Sequence, residues 1–245
     1  QLNFLIEAEA NGSAGTNYKF ESTRIVDFHN AGLIPEKYAG LDFLFLSNGG
    51  LNIKGIYAPW NFLNFGLSYG GNNIIGSGDV SWQEVLGFNL KCRLFGETIE
   101  LPALAFGFSN QGFSAYLNNK ERFEILSPGL YLVLSKSFKW KYGIISLHTG
   151  INYSFDNEPE NRTVNLFAGL EQTLGNICSI NLEYNLNLDE PNNQFISSKG
   201  MINLAGRISI SEGITIELQL RDLLNHLKNA DGIKRQINLE YIFGI

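Results

Sequence analysis

Leu86, Phe88, Leu90, Cys92 and Leu94 alternate without a break with Gly87, Asn89, Lys91 and Arg93. A period of two places every apolar side chain on one face of an extended strand and every polar or small one on the other. The same signature recurs in Leu63/Phe65/Leu67/Tyr69 against Asn64/Gly66/Ser68, and in Ile145/Leu147/Ile151/Tyr153 against Ser146/His148/Gly150/Asn152. It returns in Ile180/Leu182/Tyr184/Leu186 against Ser179/Asn181/Glu183/Asn185, and in segments near 51–57, 164–171, 202–208, 214–220 and 236–243. Stretches near 39–47, 102–110 and 129–138 are strand-like but less regular, so their facing stays open. The pattern predicts about twelve strands, most close to the roughly 9 to 11 residues that cross a bilayer at a tilt.

Alternation alone also builds soluble sandwiches and barrels. Side-chain size separates the two. A ring of about twelve strands is wide, and its interior could not be filled by rows of Leu, Ile, Phe and Tyr while Asn, Glu and Lys faced water. Turning the apolar rows outward to lipid removes the conflict, and small and polar residues then line the interior. Composition agrees: 13% aromatic and 17% charged residues, with a mean hydropathy of −0.05, describe interleaved apolar and polar surfaces. No window approaches 18 consecutive apolar residues, so a bundle of membrane-spanning helices is excluded.

Connection lengths alternate as well. Short links fall near Pro59 to Asn61, Gly96 to Glu100, Lys139 to Tyr142, Thr173 to Ile177 and Ile210 to Gly213. Longer ones fall near 70–83, 111–128, 154–162, 187–199 and 222–235, with the tight turn Asn48 to Gly50 as the exception. The expected fold is therefore all-β: one closed antiparallel transmembrane barrel spanning 1–245, with short periplasmic turns and longer extracellular loops. Both chain ends then lie on the short-turn side, where Trp60, Trp140 and Tyr142 form an aromatic girdle. Residues 1–30 precede the barrel and are expected either to plug its lumen or to reach into the periplasm. A start at Gln1 without a Met is what removal of a signal peptide leaves. The implied location is the bacterial outer membrane, with its lipid as the first partner.

The inward face receives Lys54, Lys91, Arg93 and Arg207 as cations and Glu171, Glu183, Glu217 and Glu240 as anions, with His148 among them. The cations come mainly from the first half of the chain and the Glu residues from the second. Such a lining suits either a charge-selective pore or an internal network that stiffens a closed barrel. A net charge of −6, a pI near 5.1 and the lack of any basic block argue against nucleic acid as a partner. Cys92 and Cys178 form no zinc or disulfide pattern, and no metal or cofactor is expected. No GxSxG or HExxH motif accompanies His29, His148 or His226, so no catalytic residue is assigned and no enzymatic role is expected. The Gly-rich stretch at Gly70, Gly71, Gly76 and Gly78 lacks a phosphate-binding lysine and reads as a loop. Asp222-Leu-Leu-Asn-His-Leu-Lys228 is expected to form two helical turns on the rim.

Ala31-Gly-Leu-Ile-Pro35, Gly40-Leu-Asp42, Ala58-Pro-Trp60, Phe88-Asn-Leu-Lys-Cys-Arg-Leu94, Leu101-Pro-Ala-Leu-Ala-Phe-Gly-Phe108 and Tyr131-Leu-Val-Leu-Ser-Lys136 follow one another in an order that resembles the YjbH-type outer-membrane barrels. The resemblance covers roughly residues 25–155, and the chain departs from it in the short Gly71-Asn-Asn-Ile-Ile-Gly76 loop. It implies an envelope role connected with exopolysaccharide, without a defined cargo. Two functions follow as expectations: a channel or export-related pore with a charged lumen, or a closed barrel that serves as a structural or interaction subunit of an envelope or periplasmic protein assembly.

Overall fold

A computed structural model describes residues 21–76, 78–175, 177–190, 195–197, 200–228 and 232–245. Twelve strands make the wall: β1 (Tyr38–Phe45), β2 (Leu51–Trp60), β3 (Leu63–Asn72), β4 (Gly87–Phe95), β5 (Ala103–Ser109), β6 (Gly129–Trp140), β7 (Gly143–Tyr153), β8 (Val164–Leu174), β9 (Cys178–Asn185), β10 (Met201–Ser211), β11 (Ile214–Arg221) and β12 (Lys234–Gly244). Each pairs antiparallel with its neighbour in sequence. β12 returns to β1 with Tyr38 opposite Gly244 and Phe45 opposite Ile237, which closes the ring and leaves no free edge. Two short ribbons lie in the long connections: Ser81–Trp82 against Gly71 and Asn72 of β3, and Tyr116–Leu117 against Arg122–Phe123. Register shifts gather at the short-turn ends, between Tyr57 and Trp60, Arg93 and Phe95, and Ser209 and Ser211, where bulges tighten the rim.

The faces are inverted relative to a soluble protein. On β4, Phe88 and Leu90 are 45% and 44% exposed while Asn89 and Lys91 are 7% and 1% exposed. An apolar belt facing outward around a polar, buried interior is what a barrel in hydrocarbon requires. The short and long connections segregate to opposite ends, apart from the tight turn at residues 46–50, which lies at the long-loop end. The chain enters β1 at the short-turn end, where Lys37 donates to the Ala58 carbonyl and Ile245 donates to the Lys37 carbonyl.

What fills the interior is the chain itself. Residues 21–35 enter at the short-turn end and fold back on themselves, with a bridge between Arg24 and His29 and a bond from the Ile25 amide to the Phe28 carbonyl at the tip. Ile25, Phe28 and Ala31 pack against Ala103, Ala105, Tyr131, Val133 and Phe167 of the wall. Residues 1–20, including Leu2-Asn-Phe-Leu-Ile6, lie outside the described residues.

The rim segment from Asp222 to Lys228 is not helical as expected. It turns through left-handed backbone at Asp222 and Asn225, and the Asp222 carboxylate accepts from the amides of His226 and Leu227 at 2.9 and 2.7 Å. An Asp bonding locally to its own downstream amides is a known competitor of the helix.

Candidate functional site

A buried hairpin with no strand partner must satisfy its backbone groups elsewhere. Here wall side chains do so. The amides of Val26, Asp27 and Phe28 converge on one oxygen, Oε2 of Glu183, at 3.1, 2.8 and 2.9 Å. Three consecutive N–H groups around an anion form a nest, and such charge-assisted bonds are stronger than neutral ones. From the opposite wall, Lys91 Nζ donates to the carbonyls of Thr23, Asn30 and Gly32 at 2.5, 3.1 and 3.1 Å, so one ammonium ties both arms of the hairpin. Arg207 donates to the carbonyls of Arg24 and Ile25 at 2.8 and 2.5 Å and also to Glu217. The Ala31 amide donates to Ser135 Oγ at 3.0 Å.

Side chains complete the seal. Phe28 stacks on Phe167 at 4.3 Å and His29 on Tyr131 at 4.5 Å. Arg24 lies 3.4 Å from Glu217, Asp27 pairs with Arg221, and Glu21 pairs with Arg93 at 2.8 Å. At Gly169 an added Cβ would come within 2.6 Å of the Ile25 side chain, so the wall is bare where Ile25 packs.

Of the residues expected to line the lumen, Lys54, Lys91, His148, Glu171, Glu183, Arg207 and Glu217 are buried inside it. Arg93 and Glu240 are half-buried. Lys54 lies 3.4 Å from Asp42, His148 Nδ1 is 2.8 Å from Ser135 Oγ, and Glu171 is 3.8 Å from Arg207. Glu240 sits in register with Asp42 on β1 and Thr215 on β11. Trp60, Trp140 and Tyr142 all lie at the short-turn rim but in two separate places, Trp60 stacked on Phe62 and Trp140 edge-on to Tyr142. Asp42 and Arg221 were not among the expected lining, although extending the alternation of Glu217 and Gln219 reaches Arg221 directly. Glu21, Arg24 and Asp27 belong to a segment without any period, and no local signal marks them as partners of the wall.

The long-loop end is covered too. The Phe113 carbonyl accepts from Arg221, and its ring lies 5.7 Å from the Arg24 guanidinium. Arg122 pairs with Glu190 at 2.7 Å and lies over the Phe195 ring at 4.5 Å. Ile125, Phe195, Ile196, Met201 and Leu227 form a small core over the opening. In this cap, burial and the adjacent Glu190 charge push the Asp189 carboxyl up to about 7, and burial raises Asp156 despite two bonds from Ser127. Cys92 and Cys178 are both free, and among the described residues no cluster of His, Cys, Asp and Glu could hold a metal ion.

Fold and interior together define a closed twelve-strand antiparallel barrel with a lipid-facing apolar belt and an occupied lumen. No protein-family profile matches the sequence, and no curated protein matches it. Among solved structures it is similar to one described as "NanC porin structure in rhombohedral crystal form", with a TM-score of 0.45 and 7% identity over 84% of this chain and 99% of that one. The architecture rests on the closed ring of strand pairs.

Proposed function

We propose that this chain is an outer-membrane barrel of the cell envelope that is shut in its resting form by its own residues 21–35 and serves as a closed structural or interaction subunit. Of the two expected functions, a charge-lined pore or a closed barrel, the occupied lumen favours the second. The single observation that carries this is Lys91, which spends its three donors on three hairpin carbonyls and leaves none to face a permeating ion. The charged lining then acts as an internal network that positions the hairpin, and neither catalysis nor a cofactor has a part in it. The short-turn end faces the periplasm in this reading, so the mouth of the hairpin, at Glu21 and Pro35, is within reach of periplasmic proteins. The resemblance to YjbH-type barrels supports a setting among exopolysaccharide functions. Planar-bilayer recording of the intact chain tests the proposal: silent insertions are expected, and a steady ohmic conductance from the native protein would overturn it.

A further inference from the structure

Among the described residues, the outer wall carries a groove built by two strands and a loop. It lies on β2 and β3 toward the long-loop end, is open on its outer side with a volume of about 430 Å³, and is bounded by Ile53, Gly55, Leu67, Tyr69, Trp82 and Leu86. That volume is within the range of small-molecule sites, roughly 300–1,000 Å³, and the lining is almost wholly apolar. One side is not barrel wall at all. The connection after β3 brings Trp82 back against β3 at Gly71 and stacks it on Tyr69 at 5.8 Å. The Trp82 carbonyl accepts from Asn118 Nδ2 at 3.1 Å, and Ser81 Oγ donates to Asn118 Oδ1 at 3.2 Å, so a second long loop anchors the backbone that carries the indole.

The floor of the groove supplies an independent observation. Gly55 is in the interior of β2, opposite Leu41 and Leu67, and faces outward. A Cβ built there meets nothing within 4 Å. Glycine inside a strand weakens it and packs nothing, and its usual justification is the close approach of another group. No described group of the chain approaches Gly55, which leaves the floor of the groove open. The groove opens directly onto the lipid-facing belt, which commits the occupant to hydrocarbon.

We infer that this groove binds one acyl chain of a lipid in the long-loop leaflet, seated over Gly55 and flanked by the stacked Tyr69–Trp82 pair. The inference rests on the membrane-barrel reading. From the level of Leu51 to that of Gly55 the groove follows four residues of strand, roughly 13 Å, which suits an extended chain lying along the wall. Because the Tyr69 and Trp82 rings are already stacked, binding does not have to assemble that wall.

The test uses the full chain carrying Trp60→Phe and Trp140→Phe, so that Trp82 is the sole indole, in vesicles of phosphatidylcholine with increasing mole fractions of the acyl-brominated lipid. A retained acyl chain quenches Trp82 at a low mole fraction and then saturates. Contact with bulk lipid alone quenches in proportion to mole fraction. Gly55→Leu adds a side chain to the floor, where a Cβ meets nothing within 4 Å, and is expected to convert the saturating curve to the proportional one. Gly206→Leu is the control, since Gly206 also has open space above it but does not belong to the groove. A proportional curve from the protein with Gly55 intact, or a saturating one unaffected by Gly55→Leu, overturns the inference. A gel shift on boiling, read on the same vesicles, reports insertion separately: its absence means that the barrel reading has failed, and its presence with proportional quenching means that only the groove has.

Discussion

Leu90 and Asn89 are neighbours in sequence and meet different solvents. Leu90 faces the belt, whereas Asn89 Nδ2 lies 3.0 Å from His29 Nε2 of the hairpin. An Arg at position 90 would stand in hydrocarbon near the bilayer centre, at a cost of about 2 to 4 kcal/mol. An Arg at 89 stays inside but sets a third cation beside Lys54 and Lys91 and collides with the hairpin. Leu90→Arg should therefore reduce folding yield in vesicles, read by the gel shift on boiling. Asn89→Arg should keep most of that yield and instead release the hairpin, read as increased proteolysis within residues 21–35. Equal loss of folding in both variants would contradict the assignment of faces.

The elements differ in how plainly the sequence announces them. Strands with one polar and one apolar face, such as β4 and β9, are legible because their two solvents differ. β5 and β6 are blurred for a physical reason: Ala103, Ala105 and Val133 point inward yet are apolar, since they meet Ile25, Phe28 and Ala31 rather than water or charge. The hairpin is illegible in sequence because side chains of many strands satisfy its backbone, so it needs no period of its own. The cap is equally non-local, and its titration gives a test. Asp189 binds its proton more tightly folded than unfolded, about 7 against an ordinary 3.8. Between those values the folded state holds the extra proton, so stability falls as pH rises through that window and levels off above about 7. The full difference is at most about 4 kcal/mol. Asp189→Asn should accordingly raise the urea midpoint at pH 8 and change it little at pH 4. An equal change at both pH values would mean that the carboxyl does not titrate in the cap.

At the scale of the whole molecule, the ring and the hairpin are separable. Every ladder that closes the barrel runs between wall strands, and none passes through residues 21–35. Deleting 21–34 should leave a barrel that still shifts on boiling, with a lower urea midpoint because Lys91, Glu183 and Arg207 lose their partners. In the intact protein these charges are occupied, so Lys91→Gln with Arg93→Gln should lower the midpoint and leave conductance absent. Once the lumen is open the same two cations face water. On the wall, Lys54, Lys91, Arg93, Arg207 and Arg221 then oppose Asp42, Glu171, Glu183, Glu217 and Glu240 while Lys234 stays paired with Glu124 of the cap, an even balance that gives weak selectivity. Neutralising Lys91 and Arg93 tips that balance toward the carboxylates and raises the local cation concentration. Reversal potentials under a salt gradient should shift toward cation preference in the deletion variant carrying both substitutions, relative to the deletion alone. An unchanged potential would mean that these side chains pair with the wall as soon as the hairpin leaves, and that the lining is a structural network even in the open barrel.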